Sequence, residues 1–395
     1  MVRTMHGAFL PGNSTVELRE VAVPSPGPGQ VLLRVKASTI CGSDIRAIYH
    51  RHVGEGPEGY QGVIAGHEPS GVVEQVGPGC RHFQLGDRVA VYHISGCGLC
   101  YDCRLGLMVS CTSERREAYG WQRDGGMAPY LLAEEKDLVG LPDELTFVDG
   151  ALVACGFGTA FEALMKIGVS GEHSTLVTGL GPLGLATAIL AHKLGSSLVI
   201  GVEAVKERRD LALRLGACDE VFDLGEAALG SVRERTQGRG ADRAVDCTGD
   251  GRARALAVRA TARRGKIALV GEGGDLSLDP SPDLVHEQKT VYGSWVTSLW
   301  RMSDLVSLLA RWQSHPEETV TDVFGLDEVS AAYDLMASRK SGKVAVLFDD
   351  ELARFGSGIS KGSGADYRQM PARSGDGKQA RWSPAGYEGV LRGYP

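Results

Sequence analysis

The chain lacks a surplus of positive charge. Among its 395 residues, 42 are Lys or Arg and 49 are Asp or Glu, for a net charge of −7. Phosphate-bearing partners need a basic field, so the mixed and slightly acidic balance argues against nucleic acid. Long apolar runs are also missing. The richest segment, LGPLGLATAILAHKLG, is too short and too interrupted to span a bilayer, so no membrane partner is expected. The opening residues MVRTMHGAFLPGNS show no apolar core and no small-residue cleavage site, and the expected location is the cytoplasm. No internal repeat is visible. Cysteine is sparse: nine residues, an odd number, which in a reducing compartment read as thiols or metal ligands. A chain of this length buries a large core and does not need bridges to fold.

Two rhythms are present. In the first part of the chain, short β-rich runs (VLLRVKAST, SGVVEQVG, GDRVAVYHI, APYLLAE) are punctuated by PSPGPGQ and GPEGYQG. This pattern predicts an irregular antiparallel β-barrel with long loops, the kind of loops that carry chemistry. Further on, STLVTG, SLVIGVE, EVFDL, RAVDCTG, KIALVGEG and TVYGSWV alternate with helical stretches such as AVKERRDLALRLGA. Six such strands predict an α/β domain with a doubly wound parallel sheet. Helical patterns at MSDLVSLLARWQS and VSAAYDLMASRK and a strand at KVAVLFD follow. The expected division is a first domain at 1–155, a second at 156–297, a return to the first at 298–350 and a Gly-, Ser- and Arg-rich tail at 351–395, read as disordered.

The segment Gly179-Leu180-Gly181-Pro182-Leu183-Gly184 carries G-x-G-x-x-G between an apolar strand and a helix, with Glu203 ending the next strand. Gly179 permits the tight turn, Gly181 lets a pyrophosphate approach the backbone, and Gly184 lets the helix pack on the sheet. Glu203 can accept hydrogen bonds from both ribose hydroxyls and would repel a 2′-phosphate. NAD is therefore favoured over NADP, and Arg208 keeps NADP open. A thiolate, an imidazole and a carboxylate (Cys41 in ICGSD, His67 and Glu68 in GHE) are good Zn²⁺ ligands, and Cys155 in VACGFGT lies where the two rhythms meet. The stretch SGCGLCYDCRLGLMVSC adds Cys97, Cys100, Cys103 and Cys111, open to reading as a staple, a redox pair or a metal site.

Taken in this order, C-G-S-D, G-H-E, the four-cysteine cluster, the strand–GLGPLG–helix unit and the terminal acid resemble the zinc-containing medium-chain alcohol/polyol dehydrogenase family, over roughly residues 7–350. The resemblance implies a GroES-like catalytic domain joined to a Rossmann domain. It also implies a catalytic zinc on Cys41, His67 and Cys155, with Glu68 near or on the metal. Ser43 would take the alcohol proton, Thr159 would lie beside the nicotinamide, and Lys343 near the pyrophosphate. Cys97, Cys100, Cys103 and Cys111 would hold a structural zinc in a lobe at 95–112, because four thiolates leave no open position. The family commonly carries a His where this chain has Arg46. Arginine is no base at neutral pH, so the proton relay would end in water, His50 or His52.

The implied reaction is hydride transfer between an alcohol and NAD⁺. The loop Tyr119–Asp124, with Trp295 and Trp300, suggests a polyol, sugar or cyclitol. A simple aliphatic or aromatic alcohol is the alternative, ahead of a zinc-ribbon interaction protein or a catalytically dead binding protein. A zinc-free NADPH quinone or enone reductase would lack the filled ligand positions. The family generally forms dimers or tetramers through the sheet edge of its nucleotide domain, so a homodimer or homotetramer is expected.

Overall fold

A computed structural model describes residues 2–54 and 59–355. The alternating segments form a six-stranded sheet, parallel throughout, in the order Glu220–Phe222, Leu198–Val202, Ser174–Thr178, Ala241–Asp246, Thr261–Leu269, Thr290–Gly293. In sequence rank this is 3-2-1-4-5-6, the Rossmann order, in which the strand order reverses beside the first strand and opens a crevice at the carboxyl ends. The central strand Ser174–Thr178 is buried at every position, as expected where helices cover both faces.

The first part of the chain folds around a seven-stranded sheet. Gln30–Ile40 lies at its centre, paired antiparallel with Glu68–Val76, with Tyr130–Glu134 and with Lys343–Leu347. The sheet is antiparallel as expected except at one edge, where Val320–Phe324 runs parallel to Lys343–Leu347. Register shifts within the pairing of Gln30–Ile40 with Glu68–Val76 curl it into an irregular barrel. The chain thus returns to its first domain after building the second.

A bent helix pair joins the domains. Phe147–Val153 is buried along its whole length and is capped by Thr146 and Asp149, each side chain bonding the other's backbone N–H. Gly156–Ile167 follows at 50°. The break falls at Cys155, whose φ of −136° and ψ of −72° are not helical. One hydrophobic cluster runs without interruption from Tyr92 and Ile94, through these helices, to Val177 and Leu185 of the Rossmann domain. Among the described residues no single helix is long and apolar enough to cross a membrane. The tail expected from 351 begins inside a helix, Asp349–Phe355, which is ordered by its contacts with the barrel sheet. Residues 356–395 lie outside the described residues.

Candidate active site

Four side chains converge where the barrel meets the bent helix pair. The ligand atoms of Cys41, His67, Glu68 and Cys155 all lie within 4.8 Å of one another. Cys41 follows directly on the strand Gln30–Ile40 and opens the short turn Gly42–Asp44, and its N–H donates to Asp44 Oδ2 at 2.9 Å. The second Asp44 oxygen is 2.8 Å from His67 Nδ1. A fully buried carboxylate therefore fixes the ring so that Nε2 is the nitrogen left for a metal. The helix break aims Cys155 at the same point, with its Sγ 3.9 Å from Cys41 Sγ. The hydrogen bond from Cys155, helped by His67 and Lys343, holds the Cys41 thiol well below its ordinary range.

Glu68 is fully buried, and burial raises its carboxyl against the pull of Lys343. One oxygen is 2.5 Å from Lys343 Nζ and also accepts from Thr39 Oγ1. The other, Oε1, is buried with no described partner. A buried unpaired carboxylate oxygen is costly. Set beside two cysteines and an oriented imidazole, it fits a borderline-soft dication such as Zn²⁺.

Lys343 departs from expectation. The resemblance implies a place for it near the pyrophosphate, whereas the strand Lys343–Leu347 pairs with Gln30–Ile40 and buries it against the cluster. Burial alone would lower its pKa, but Glu68, Cys41 and Cys155 more than offset this and hold it at about 12. Ser43 lies half-buried on the Cys41 turn. Neither histidine considered for the relay bonds to this cluster: His50 Nδ1 pairs with Ser14 Oγ at 2.8 Å, and His52 Nε2 with the Leu10 carbonyl at 2.8 Å. Arg46 pairs with Glu272.

Two rings frame His67. His93 lies 5.1 Å away centroid to centroid, and Trp121 meets His67 edge-on at 5.7 Å. His93 Nδ1 contacts the Ala154 carbonyl at 2.9 Å. Burial, then the neighbouring His67, pushes its pKa down to about 3, so it is neutral. His93 went unnoticed as a site residue because only the fold brings it to residue 67. Of the loop Tyr119–Asp124, Trp121 faces His67, whereas Tyr119 is buried against Asp137 and Arg123 pairs with Glu134. Trp295 and Trp300 are exposed rather than packed in the core, under Arg116 and Arg301 respectively.

The four-cysteine lobe gathers Cys97, Cys100, Cys103 and Cys111 within 4.8 Å, all as free thiols. The N–H groups of Leu99 and Cys100 donate to Cys97 Sγ at 3.4 and 3.3 Å, and that of Cys97 donates to Cys111 Sγ at 3.4 Å. These backbone donors draw the Cys97 thiol down to about 6. Four sulfurs with N–H groups directed at them fit a closed tetrahedral metal site.

At the glycine-rich turn, Gly179 has a φ of +85°, and a Cβ there would meet Thr248 at 2.4 Å. A Cβ on Gly184 would fall 1.7 Å from the Gly179 carbonyl oxygen. Gly181 caps the helix Pro182–Lys193, with the Arg208 guanidinium 3.5 Å from where its Cβ would stand. Leu180 is buried and Leu183 partly so. Glu203 accepts from Leu180 N–H at 2.8 Å and Val205 N–H at 2.9 Å, and Arg208 lies 3.9 Å from it. Thr159 is buried in the first turn of the helix that Cys155 opens.

A third group, Asp149, His315 and Glu317, also meets the 4.8 Å test. Here every carboxylate oxygen is already engaged, by Thr146, His315, the Glu317 N–H and Arg354. The group is a clamp between segments.

This fold and these two sulfur-rich clusters define a zinc-type dehydrogenase. Residues 27–143 match the alcohol dehydrogenase GroES-like domain, and residues 182–311 match the zinc-binding dehydrogenase domain. The chain is 48% identical over 353 residues to the uncharacterized zinc-type alcohol dehydrogenase-like protein YphC of Escherichia coli, covering 88% of this chain and 100% of that one. It is 32% identical over 339 residues to L-threonine 3-dehydrogenase of Pyrococcus abyssi, covering 84% and 94%. The solved alcohol dehydrogenase TADH from Thermus sp. ATN1 matches with a TM-score of 0.79 at 26% identity, over 87% of this chain and 99% of that one. The chain belongs to the zinc-containing medium-chain alcohol dehydrogenase family, and is an oxidoreductase acting on alcohols.

Proposed function

We propose that the protein is an NAD-dependent dehydrogenase of a polar primary or secondary alcohol, with polyols, sugars and cyclitols as the leading class. The observation that carries this reading is the convergence of Cys41, His67, Glu68 and Cys155 where the barrel meets the bent helix pair, with Cys155 beginning the helix that bears Thr159. When bound, Zn²⁺ supplies Lewis acidity at the alcohol oxygen and the nicotinamide supplies the hydride acceptor. The chain's own residues do the rest. Asp44 fixes the His67 ring, Lys343 and Thr39 hold Glu68, and Ser43 accepts the hydroxyl proton from the alcohol and passes it towards solvent. Glu203 receives the adenosine ribose, and its buried carboxylate disfavours a 2′-phosphate. The two domains exclude water from the reacting atoms.

The polar-substrate reading is supported by His93 and Trp121 beside His67, a neutral imidazole and an indole ring 5.1 and 5.7 Å, centroid to centroid, from the prospective ligand. A substrate with several hydroxyls uses both. The L-threonine 3-dehydrogenase relatives place L-threonine on the same panel of candidates. The strand Thr290–Gly293 ends the parallel sheet with an open edge, the surface proposed for self-association into a homodimer or homotetramer.

The deciding experiment measures NAD⁺ and NADP⁺ reduction across polyols, sugars, cyclitols, L-threonine and simple alcohols, together with a zinc count. Turnover confined to simple alcohols rejects the substrate class. Glu203→Ala is expected to weaken NAD⁺ far more than NADP⁺, and equal losses would remove Glu203 from the ribose.

A further inference from the structure

The one cation in the Cys41 element that departs from the family pattern forms an ion pair across the crevice. Arg46 lies in Ile45–Tyr49, a single wide turn in which His50 N–H reaches back to Ile45 O. Such π-turns concentrate at functional sites. This turn continues directly from Gly42–Asp44, the segment that carries Ser43 and follows on Cys41. Arg46 pairs with Glu272, which stands on the turn after the Rossmann strand Thr261–Leu269.

The Glu272 turn is rigid. Arg254 donates to the carbonyls of Gly271 and Gly274, and a Cβ on Gly249 would lie 2.2 Å from the Glu272 carbonyl oxygen. The same contacts place it in the crevice. Gly179 packs on Thr248, the next residue Gly249 packs on Glu272, and the carboxyl ends of three strands therefore form one continuous rim. Glu272 also lines a cavity of about 630 Å³ with Glu162, Lys166, Ser294 and Trp295.

We propose that Arg46 and Glu272 are a positioning pair, a catch across the crevice that holds the Cys41–Ser43–Asp44 element against the cofactor domain and slows dinucleotide release. The proposal rests on the dinucleotide assignment above. The catch is weak by construction. Both side chains are 45% exposed, so the pair is screened by salt and opens on each turnover. It also explains what an arginine does where the family commonly carries a relay base: the position is used for domain register in place of proton transfer.

The test is the rate at which NADH leaves the zinc-loaded protein, followed by its fluorescence after rapid displacement, at low and high salt. Wild type is expected to release NADH about three- to fivefold faster at high salt. Glu272→Gln is expected to release rapidly at both, with little salt dependence. Arg46→Glu should behave likewise. The double exchange Arg46→Glu with Glu272→Arg should restore slow, salt-sensitive release, which no independent contact of either residue with the cofactor would do. A Glu272→Gln variant with the wild-type rate and salt slope overturns the catch, as does a double exchange no slower than either single variant. Wild-type protein that binds no NADH overturns the dinucleotide assignment instead.

Discussion

Asp44 shows how the site works one residue at a time. It spends one oxygen on the Cys41 N–H and the other on His67 Nδ1, so two prospective ligands share one orienting group. Asp44→Asn keeps the shape but presents an NH₂ to one of two donors, and activity or zinc retention is expected to fall about 10- to 100-fold. Zinc analysis after dialysis measures this directly. Cys41→Ala and His67→Ala are expected to abolish turnover while the circular dichroism spectrum stays that of a folded α/β protein. Measurable wild-type turnover in either would remove these residues from the chemistry. Cys41, His67 and Cys155 say little one at a time, since a lone Cys or His is more often a core residue; they can be singled out because the order of C-G-S-D, G-H-E, the four-cysteine cluster and the glycine-rich unit resembles the zinc dehydrogenase family. Asp44 stood inside the same C-G-S-D motif, yet its role depends on a strand that brings residue 67 beside it. Lys343 shows the same limit: the resemblance puts it near the pyrophosphate, and only strand pairing reveals that it is buried on Glu68.

Among the elements, the glycine-rich turn separates two functions that the motif merges. Gly184 exists for packing: its absent Cβ leaves room for the Gly179 carbonyl. Gly184→Ala should therefore destabilise the Rossmann domain and lower the thermal midpoint. Gly181 meets only the end of the Arg208 side chain. Gly181→Ala should fold normally and lose dinucleotide affinity, because a methyl group would stand where a pyrophosphate approaches. Calorimetry and NADH titration of both variants test the distinction. The four-cysteine lobe has short helices, Tyr101–Arg104 and Met108–Ser110, and exposes Leu99, Tyr101 and Leu105, so the metal must supply its order. Cys103→Ser is expected to lower bound zinc from about two to about one per chain and to depress the thermal midpoint. The alternation of strands and helices was readable because period and length distinguish them. The parallel edge pair Val320–Phe324 with Lys343–Leu347 was not, since a strand's direction is set by the helix Val329–Ala337 that connects it.

At the scale of the whole molecule, the domains are joined by polar clamps as well as by the shared core. Asp149 caps the helix Phe147–Val153 and holds both His315 and the Glu317 backbone, tying the start of the bent helix pair to the segment leaving the Rossmann domain. Asp149→Ala removes the cap and leaves buried groups unpaired, for an expected loss of about 2–4 kcal/mol. Thermal unfolding should show it, with KM for the alcohol unchanged. The return of 298–350 to the first domain is expected from the sequence, but local pattern shows it only as a lone strand, KVAVLFD, after the last Rossmann unit. Its partner, some 300 residues earlier, could not be read from local pattern.

That pairing fixes an order of events during synthesis. The strand Lys343–Leu347 supplies both the central neighbour of Gln30–Ile40 and the counter-charge of Glu68. Until it leaves the ribosome, Cys41, His67 and Glu68 hang on an unfinished sheet, whereas the Rossmann strands have all been made. A nascent chain halted before residue 343 should thus hold a folded nucleotide domain beside an incomplete barrel, and capture of the catalytic zinc belongs to the last moments of translation or after it.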